Sequence, residues 1–440
     1  SENFAKEKRY GFFPAGSIGW MISNEKFMEG TRGWLDQFKL RGSYGLVGSD
    51  KLPGDNRFGY LQFYGGSSGT NFGYPSFGSG VNGLNEGTLA NTALTWEKAK
   101  KLNLGLDAMF LDQRLKISFD YFHEDRYDIL TTLDDDKMGF PSIVGKDAPP
   151  LNVGKVKNHG IEFEVTWSDK IGKDFRYFIK PNFSFARNKL IYNGEIQYPN
   201  SWRGETGKSL YLNYVYDFDH FVKDQAEADA LNASGYQGVF TNKLIPGDAV
   251  YKDLDGDGKI TDIGDRKAMG HPRSPEIQFG LPITLQYKDF DFSVLFQGAL
   301  NSSIMLKDAA IWDFPNFDQD KTGSVTPYHL KNRWTPETAE TAKYPALHIG
   351  THTNNKNSNS SLFLYDGKYL RLKNIEVGYT LPRRVIKFAG LSNVRVYAQG
   401  QNLLTFDKLG DSNLDPEVGN TSGYWYPVLK VFNFGIDVTF

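Results

Sequence analysis

The stretch that decides the fold runs from Leu102 to Phe122. Leu102, Leu104, Leu106, Ala108 and Phe110 alternate with Asn103, Gly105, Asp107 and Met109. Asp112-Gln113 makes a tight polar turn, after which Leu115, Ile117, Phe119 and Tyr121 alternate with Lys116, Ser118, Asp120 and Phe122. Residues two apart on a strand share a face. This is therefore a long hairpin with one mostly apolar and one mostly polar face. Each arm is about ten residues, the length of a tilted strand that crosses a membrane.

The same period recurs along the chain. Ile161, Phe163, Val165 and Trp167 alternate with Glu162, Glu164 and Thr166; Ile277 to Tyr287 turns at Lys288-Asp289 into Phe290, Phe292, Val294 and Phe296. The last segment sets Phe432, Phe434, Ile436, Val438 and Phe440 against Asn433, Gly435, Asp437 and Thr439. The pattern predicts eleven strands, near 11–20, 37–47, 97–110, 114–124, 157–167, 175–187, 276–287, 290–300, 369–380, 393–404 and 428–440. Their connections alternate between short and long. Short turns at one end and long loops at the other is the organisation of a transmembrane antiparallel β-barrel, all-β in class. Trp20, Trp167, Tyr287 and Phe440 stand near strand ends, where an interfacial aromatic girdle is expected.

Composition agrees. Phe (33), Tyr (24) and Gly (46) are abundant, which favours strands and loops over helices. No apolar run approaches the roughly 18 residues of a membrane helix, so a helical membrane protein is excluded but a barrel is not. A net charge of −2 argues against nucleic acid as a partner. The lack of any cysteine removes disulfides, thiolate nucleophiles and Cys-ligated metals. The alternative reading is a soluble or cell-surface β-rich carbohydrate-binding protein, because a half-buried soluble sheet alternates too.

Six segments together carry a family resemblance: RYGFFPAGSIGWMISNEKFM (9–28), FKLRGSYGLVGS (38–49), YLRLKNIEVGYTLP (369–382), VYAQGQNLLTF (396–406), LDPEVG (414–419) and YPVLKVFNFGIDVTF (426–440). In this combination and order the chain resembles the C-terminal half of a SusC/RagA-like TonB-dependent outer-membrane transporter. Such transporters have about 22 strands around a plugged lumen, of which eleven are half. The resemblance implies that residues 1–440 are the C-terminal half of that barrel, with the plug domain and N-terminal strands absent from this chain. It implies location in the outer membrane of a Gram-negative bacterium, with short periplasmic turns and long extracellular loops. It further implies active import of a large nutrient, an oligosaccharide or a peptide, captured with a SusD-like surface lipoprotein. The TonB complex would act through the missing N-terminal part. Terminal Phe440 looks like the assembly signal read by the barrel-assembly machinery. No enzyme activity and no required cofactor are implied.

Local motifs add separate signals. Asp253-Leu254-Asp255-Gly256-Asp257-Gly258-Lys259 followed by Asp262 and Asp265 matches the start of a calcium loop, with carboxylates at positions 1, 3 and 5 and glycine at 6. Position 12 is Gly264 rather than Glu, so Asp262 or Asp265 would have to complete a structural Ca²⁺ site, with Lys259 giving its carbonyl. Trp202, Tyr211, Trp312, Trp334, Tyr424 and Trp425 are candidate substrate-stacking residues on the loops. Gly65-Gly66-Ser67-Ser68-Gly69 fits G-x-S-x-G in letters alone, since its surroundings read as loop and not as a strand-to-helix elbow. His348 and His352 are four apart without a zincin glutamate between them, and a loop role is expected. Residues 381–392 predict a short amphipathic helix that caps a periplasmic turn.

Overall fold

The computed structural model describes residues 1–440 except 53–56, 68–82, 133–142, 144, 147, 315–324, 350–351, 411–413, 418–420, 424–425 and 427. Its backbone is one antiparallel sheet. The wall strands are β1 (Ala15–Met21), β2 (Leu35–Ser49), β3 (Glu97–Phe110), β4 (Leu115–Thr131), β5 (Leu151–Ile171), β6 (Phe175–Ile179), β7 (Asn182–Tyr192), β8 (Ile277–Tyr287), β9 (Phe290–Leu300), β10 (Tyr369–Thr380), β11 (Asn393–Asp407) and β12 (Val431–Thr439). Each pairs with its sequence neighbour, except that β6 and β7 do not pair with one another and lie end to end between β5 and β8.

The expected strand over 175–187 is broken into β6 and β7 at Lys180-Pro181. Proline has no N–H to give to a ladder. Both halves still pair with β5 and β8. The Pro181 carbonyl accepts from Val165 at 3.0 Å, and Lys180 N–H donates to the Pro282 carbonyl at 3.0 Å. Counted as one, they give the eleven strands expected.

Short and long connections alternate as the sequence predicts. The turn between β5 and β6 relies on Gly172, at φ 66°. The helix expected within 381–392 is present as one turn, Arg383–Ile386, continued by a 3₁₀ turn to Ala389. Two boundaries differ from expectation. β1 begins at Ala15 instead of 11. β4 and β5 run far past 114–124 and 157–167: β5 has 21 residues, about 70 Å at ~3.3 Å per residue, against a hydrocarbon core of about 30 Å. β5 gains 168–171 at the short-turn end, but most of the surplus, 125–131 and 151–156, lies at the long-loop end. There the strands carry charge, and Arg126 pairs with Glu124 (2.5 Å) and Glu97 (3.5 Å).

The alternation sorts the wall into two faces. On the terminal strand Phe432, Phe434 and Ile436 are 66%, 83% and 67% exposed. A water-soluble sheet would cover such a stripe; a lipid-facing wall leaves it bare. No helix among the described residues is long and apolar enough to cross a membrane. Aromatics gather at the short-turn end, where Trp34 stacks on Phe110 (5.8 Å), Phe290 meets Tyr379 (4.5 Å) and the Trp167 Nε1–H donates to the Tyr177 hydroxyl (2.9 Å).

The long connections expected from the sequence carry structure of their own. They fold onto one another. Asn213–Tyr216 pairs with Arg266–Met269, Phe218–Phe221 with Ala249–Tyr251, and Ser303–Met305 with Leu364–Asp366. Helix α1 (Gln225–Ser234) is capped by the Asp224 carboxylate on the Glu227 N–H and stopped by Gly235 at φ 87°. Hydrophobic clusters form here, not in the wall. One joins Val215, Ile304, Ile311, Tyr344, Phe363 and Leu409 from three separate connections. A second is built around Tyr216, Phe221, Tyr251 and Trp334. A wall with lipid on one side and a lumen on the other has no inside, so among the described residues the hydrophobic clusters gather where the loops pile up.

Candidate functional site: the lumen face and the outward loops

The polar face carries ion-pair networks. Arg41 on β2 reaches Asp107 on β3 (Nε, 3.0 Å) and Asp120 on β4 (Nη2, 2.6 Å), and the Ser118 hydroxyl donates to Asp107 at 2.9 Å. Arg395 on β11 holds Asp291 (2.5 Å), Glu376 (2.6 Å) and Asp437 (3.5 Å), one carboxylate from each of β9, β10 and β12. Glycine makes room for both. A Cβ on Gly105 would stand 2.4 Å from the Arg41 guanidinium, and one on Gly378 would stand 2.4 Å from Arg395 Nη2. Charges at such positions need water or partners, so this face lines a wet lumen. Glu164 joins it through Lys180 at 3.0 Å.

At the outer rim Asp415 and Glu417 are tied to the wall. Arg371 on β10 is fully buried; its Nη1 donates to Glu417 (2.8 Å), its Nη2 to Asp415 (2.5 Å) and its Nε to the Thr405 hydroxyl (3.0 Å). The Tyr369 hydroxyl donates to Glu417 at 2.7 Å. Beside this anchor a cavity of about 640 Å³ opens among Asn182, Gln278, Gln297, Tyr369 and Glu417. Arg273 adds a cation to these amide, phenol and carboxylate groups, and Phe279, Leu295 and Ile304 add apolar surface, so the lining can both hydrogen bond a polar solute and pack against it.

The acidic turn folds around itself. Asp253 accepts from the N–H groups of Gly256 and Gly258, both at 2.7 Å, and Asp257 from Lys259 at 2.8 Å. Asp265 is fully buried and accepts from Leu254 and Thr261, both at 2.7 Å. Burial first, and then the charges of Asp255 and Asp253, push the Asp265 carboxyl above the ordinary range against those two hydrogen bonds. Asp253, Asp255 and Asp265 bring one oxygen each within 4.8 Å of one another. Asp262 does not join them: it pairs with Arg266, with Arg203 3.7 Å away. Of the two residues proposed to complete the loop, the geometry selects Asp265.

The aromatic candidates scatter. Tyr211 is 86% exposed. Trp312 is borderline exposed, and Trp202 is half-buried, its Nε1–H donating to the Gly264 carbonyl at 2.9 Å, so it braces the acidic turn. Trp334 needs correction: it is only 9% exposed and packs in the second loop cluster, so its faces are not free to stack on a solute. Tyr424 and Trp425 lie outside the described residues. Phe440 is 91% exposed just past β12. Ser67 ends a short strand, Tyr64–Ser67, rather than entering a helix; Ser68 and Gly69 lie outside the described residues.

One constellation escaped the sequence reading. His348 and His352 stack at 4.0 Å, and both face Asp248, a hundred residues earlier. Burial first, then the neighbouring His348, holds His352 below the usual imidazole range. The four-residue histidine spacing was visible; the partner carboxylate was not, because it arrives from another loop.

Comparison with known proteins places this architecture. Residues 1–403 match the family described as TonB dependent receptor-like, beta-barrel. TonB-dependent receptor P3 of Formosa agariphila is 28% identical across 100% of this chain and 43% of its own length. TonB-dependent receptor SusC of Bacteroides thetaiotaomicron is 26% identical across 100% of this chain and 41% of its own. In fold, the chain is similar to a structure of the RagAB peptide transporter, with TM-score 0.71 and 21% identity over 100% of this chain and 44% of that one. The chain thus spans less than half the length of the curated relatives it matches. With its paired antiparallel wall, lipid-type outer stripe and ion-paired inner face, the chain belongs to the TonB-dependent receptor β-barrel family and resides in the outer membrane of a Gram-negative bacterium.

Proposed function

We propose that this chain forms part of the wall and outer mouth of a SusC/RagA-like active importer for a large polar nutrient, an oligosaccharide or a peptide. The observation that carries the reading is the charged, fully cross-braced lumen face beneath a folded layer of outward loops. That arrangement offers a solute a wet path through the wall and an ordered surface at its entrance. The relative named SusC and the likeness to a peptide transporter support it. A SusD-like lipoprotein sits over the loops in this reading. TonB acts through polypeptide outside residues 1–440, and the barrel-assembly machinery inserts the wall into outer-membrane lipid. No bond is made or broken by the residues described; they bind, guide and exclude. The acidic turn takes a structural Ca²⁺ through Asp253, Asp255 and Asp265, which stiffens the entrance.

The test is uptake in the native host. Labelled glycan and peptide pools are offered to cells with and without the full-length protein, and with TonB intact or deleted. The reading expects one pool to enter only when both are present. It also expects a surface lipoprotein to co-purify with the full-length protein in mild detergent. Uptake of every pool unchanged by loss of the protein overturns it.

A further inference from the structure

Asp248, His348 and His352 lie in the loop layer and form a group that shares no residue with the acidic turn. Asp248 occupies a tight turn in which its own carboxylate accepts the Ile245 N–H at 2.9 Å. Gly247 at φ 88° lets that turn press against Trp334 and Ala346, where a Cβ would come within 2.7 and 2.5 Å. The Asp248 residue is fully buried. Its Oδ1 accepts from Asn355 Nδ2 at 2.8 Å, and Asn355 Oδ1 accepts the Ala249 N–H at 2.9 Å, so a buried amide fixes the carboxylate from behind. The histidine backbones are fixed as well. The His348 N–H donates to Asp313 at 2.6 Å and its carbonyl accepts from Lys356 Nζ at 2.9 Å. The His352 carbonyl accepts the N–H groups of Asn355 and Lys356.

The carboxylate and the histidine backbones are held in place, but the His348 ring is not satisfied. His348 Nε2 is buried and makes no hydrogen bond. It stands 3.4 Å from Asp248 Oδ1, too long for a good N–H···O bond. His352 Nδ1 stands 4.0 Å from the same oxygen. One donor atom from each of the three residues falls within 4.8 Å of the others. Ligands at zinc bond lengths in a tetrahedral shell lie about 3.3 Å apart.

We propose that Asp248, His348 and His352 are a binding site for a divalent transition-metal ion of the zinc class, with water in the fourth position. Two imidazoles and one carboxylate suit Zn²⁺ and its neighbours, whereas Ca²⁺ and Mg²⁺ require an all-oxygen shell. Asn355 supplies the outer hydrogen bond that orients a ligating carboxylate. Imidazole lone pairs lie in the ring plane, so the ion opens the present face-to-face stack as it enters. The bound ion staples the 348–352 segment to the 245–248 turn across the loop layer. It is structural and takes no part in transport chemistry.

The test uses the full-length protein purified from outer membranes in detergent and stripped with chelator. Zn²⁺ is titrated against a chromophoric competitor. The expected result is one tight Zn²⁺ per chain, not displaced by excess Ca²⁺. His348→Ala and His352→Ala should each weaken it by about tenfold or more, while His271→Ala leaves it unchanged. X-ray absorption at the zinc edge of the wild-type protein should show two imidazole ligands, and this decides the matter even where a variant fails to assemble. An undiminished tight site in the double His348→Ala/His352→Ala variant, a zinc shell without imidazole, or no zinc retained by the wild type overturns the proposal.

Discussion

Phe163→Arg on the outer face of β5 separates a lipid wall from a soluble sheet. Phe163 pairs with Phe119, four residues into β4 from the short-turn end. Four residues are about 13 Å of strand. At a tilt of about 40° they raise the pair about 10 Å above the rim. A lipid band about 25 Å tall has its midplane roughly 12 Å from that rim, so Phe163 sits close to the most apolar depth. Arginine there should cost about 2–4 kcal/mol. The next residue, Glu162, points to the lumen opposite Asp120. Glu162→Arg exchanges one exposed charge for another in water and should cost less than about 1 kcal/mol. The assay is urea-titrated folding of the full-length protein into lipid vesicles, read by tryptophan fluorescence. The two variants should differ by at least about 2 kcal/mol in that order. Equal losses, or a larger loss for Glu162→Arg, would refute the assignment of faces.

Gly378→Val should drive a side chain into the Arg395–Asp291 pair and destabilise the barrel by about 1–3 kcal/mol, read as a lower temperature for loss of folded mobility on unboiled gels. Phe440→Asp should lower outer-membrane abundance with periplasmic degradation; normal abundance with lost uptake would move Phe440 from assembly to transport. Asp253→Asn with Asp255→Asn should make 250–266 easier to cleave by protease and leave the wall intact; if neither chelator nor Ca²⁺ changes cleavage of the wild type, the turn is merely acidic. His329, buried and stacked on Tyr344 at 4.1 Å, is held below the usual imidazole range chiefly by burial. Its folded pKa is depressed, so the unfolded chain takes up the proton first. The loop layer should weaken as pH falls through about 6.5 and hold steady above it. His329→Phe should flatten that slope in hydrogen exchange; an unchanged slope would discharge His329 from the role.

The wall was legible because its grammar is local. Leu102 to Tyr121 needs only a period of two and a turn, and β3 and the start of β4 follow from it within a residue. Lys180-Pro181 was equally visible, but the alternation on either side reads through it. The length of β4 and β5 was not legible. Past Glu124 the strand stays paired, but Asp125, Arg126 and Asp128 put charge on both faces and the register shifts between Arg126 and Leu130, so the amphipathic signal ends before the hydrogen bonds do. The loop layer was hidden for a different reason. Its cluster draws Val215, Ile304, Tyr344 and Leu409 from three connections, and no window of sequence contains them together. Trp334 was misplaced on the same ground: an aromatic in a long loop reads alike whether it meets a solute or a neighbouring loop. Asp248 and His352 become a pair only after that layer has folded.

Because the hydrophobic clusters of the described residues lie in the outward loops, one polypeptide obeys two opposite substitution rules. Beyond the bilayer, truncating Ile311 or Tyr344 leaves a void and polar intrusions are expelled, as in any protein surrounded by water. Within the bilayer, polarity is tolerated on the side facing the pore and forbidden on the side facing solvent, where the solvent is oil. A saturation scan averaged along this chain would cancel the two signals. Sorted by height above the short turns, it should reverse sign where the lipid ends, and so locate the membrane surface from tolerance alone.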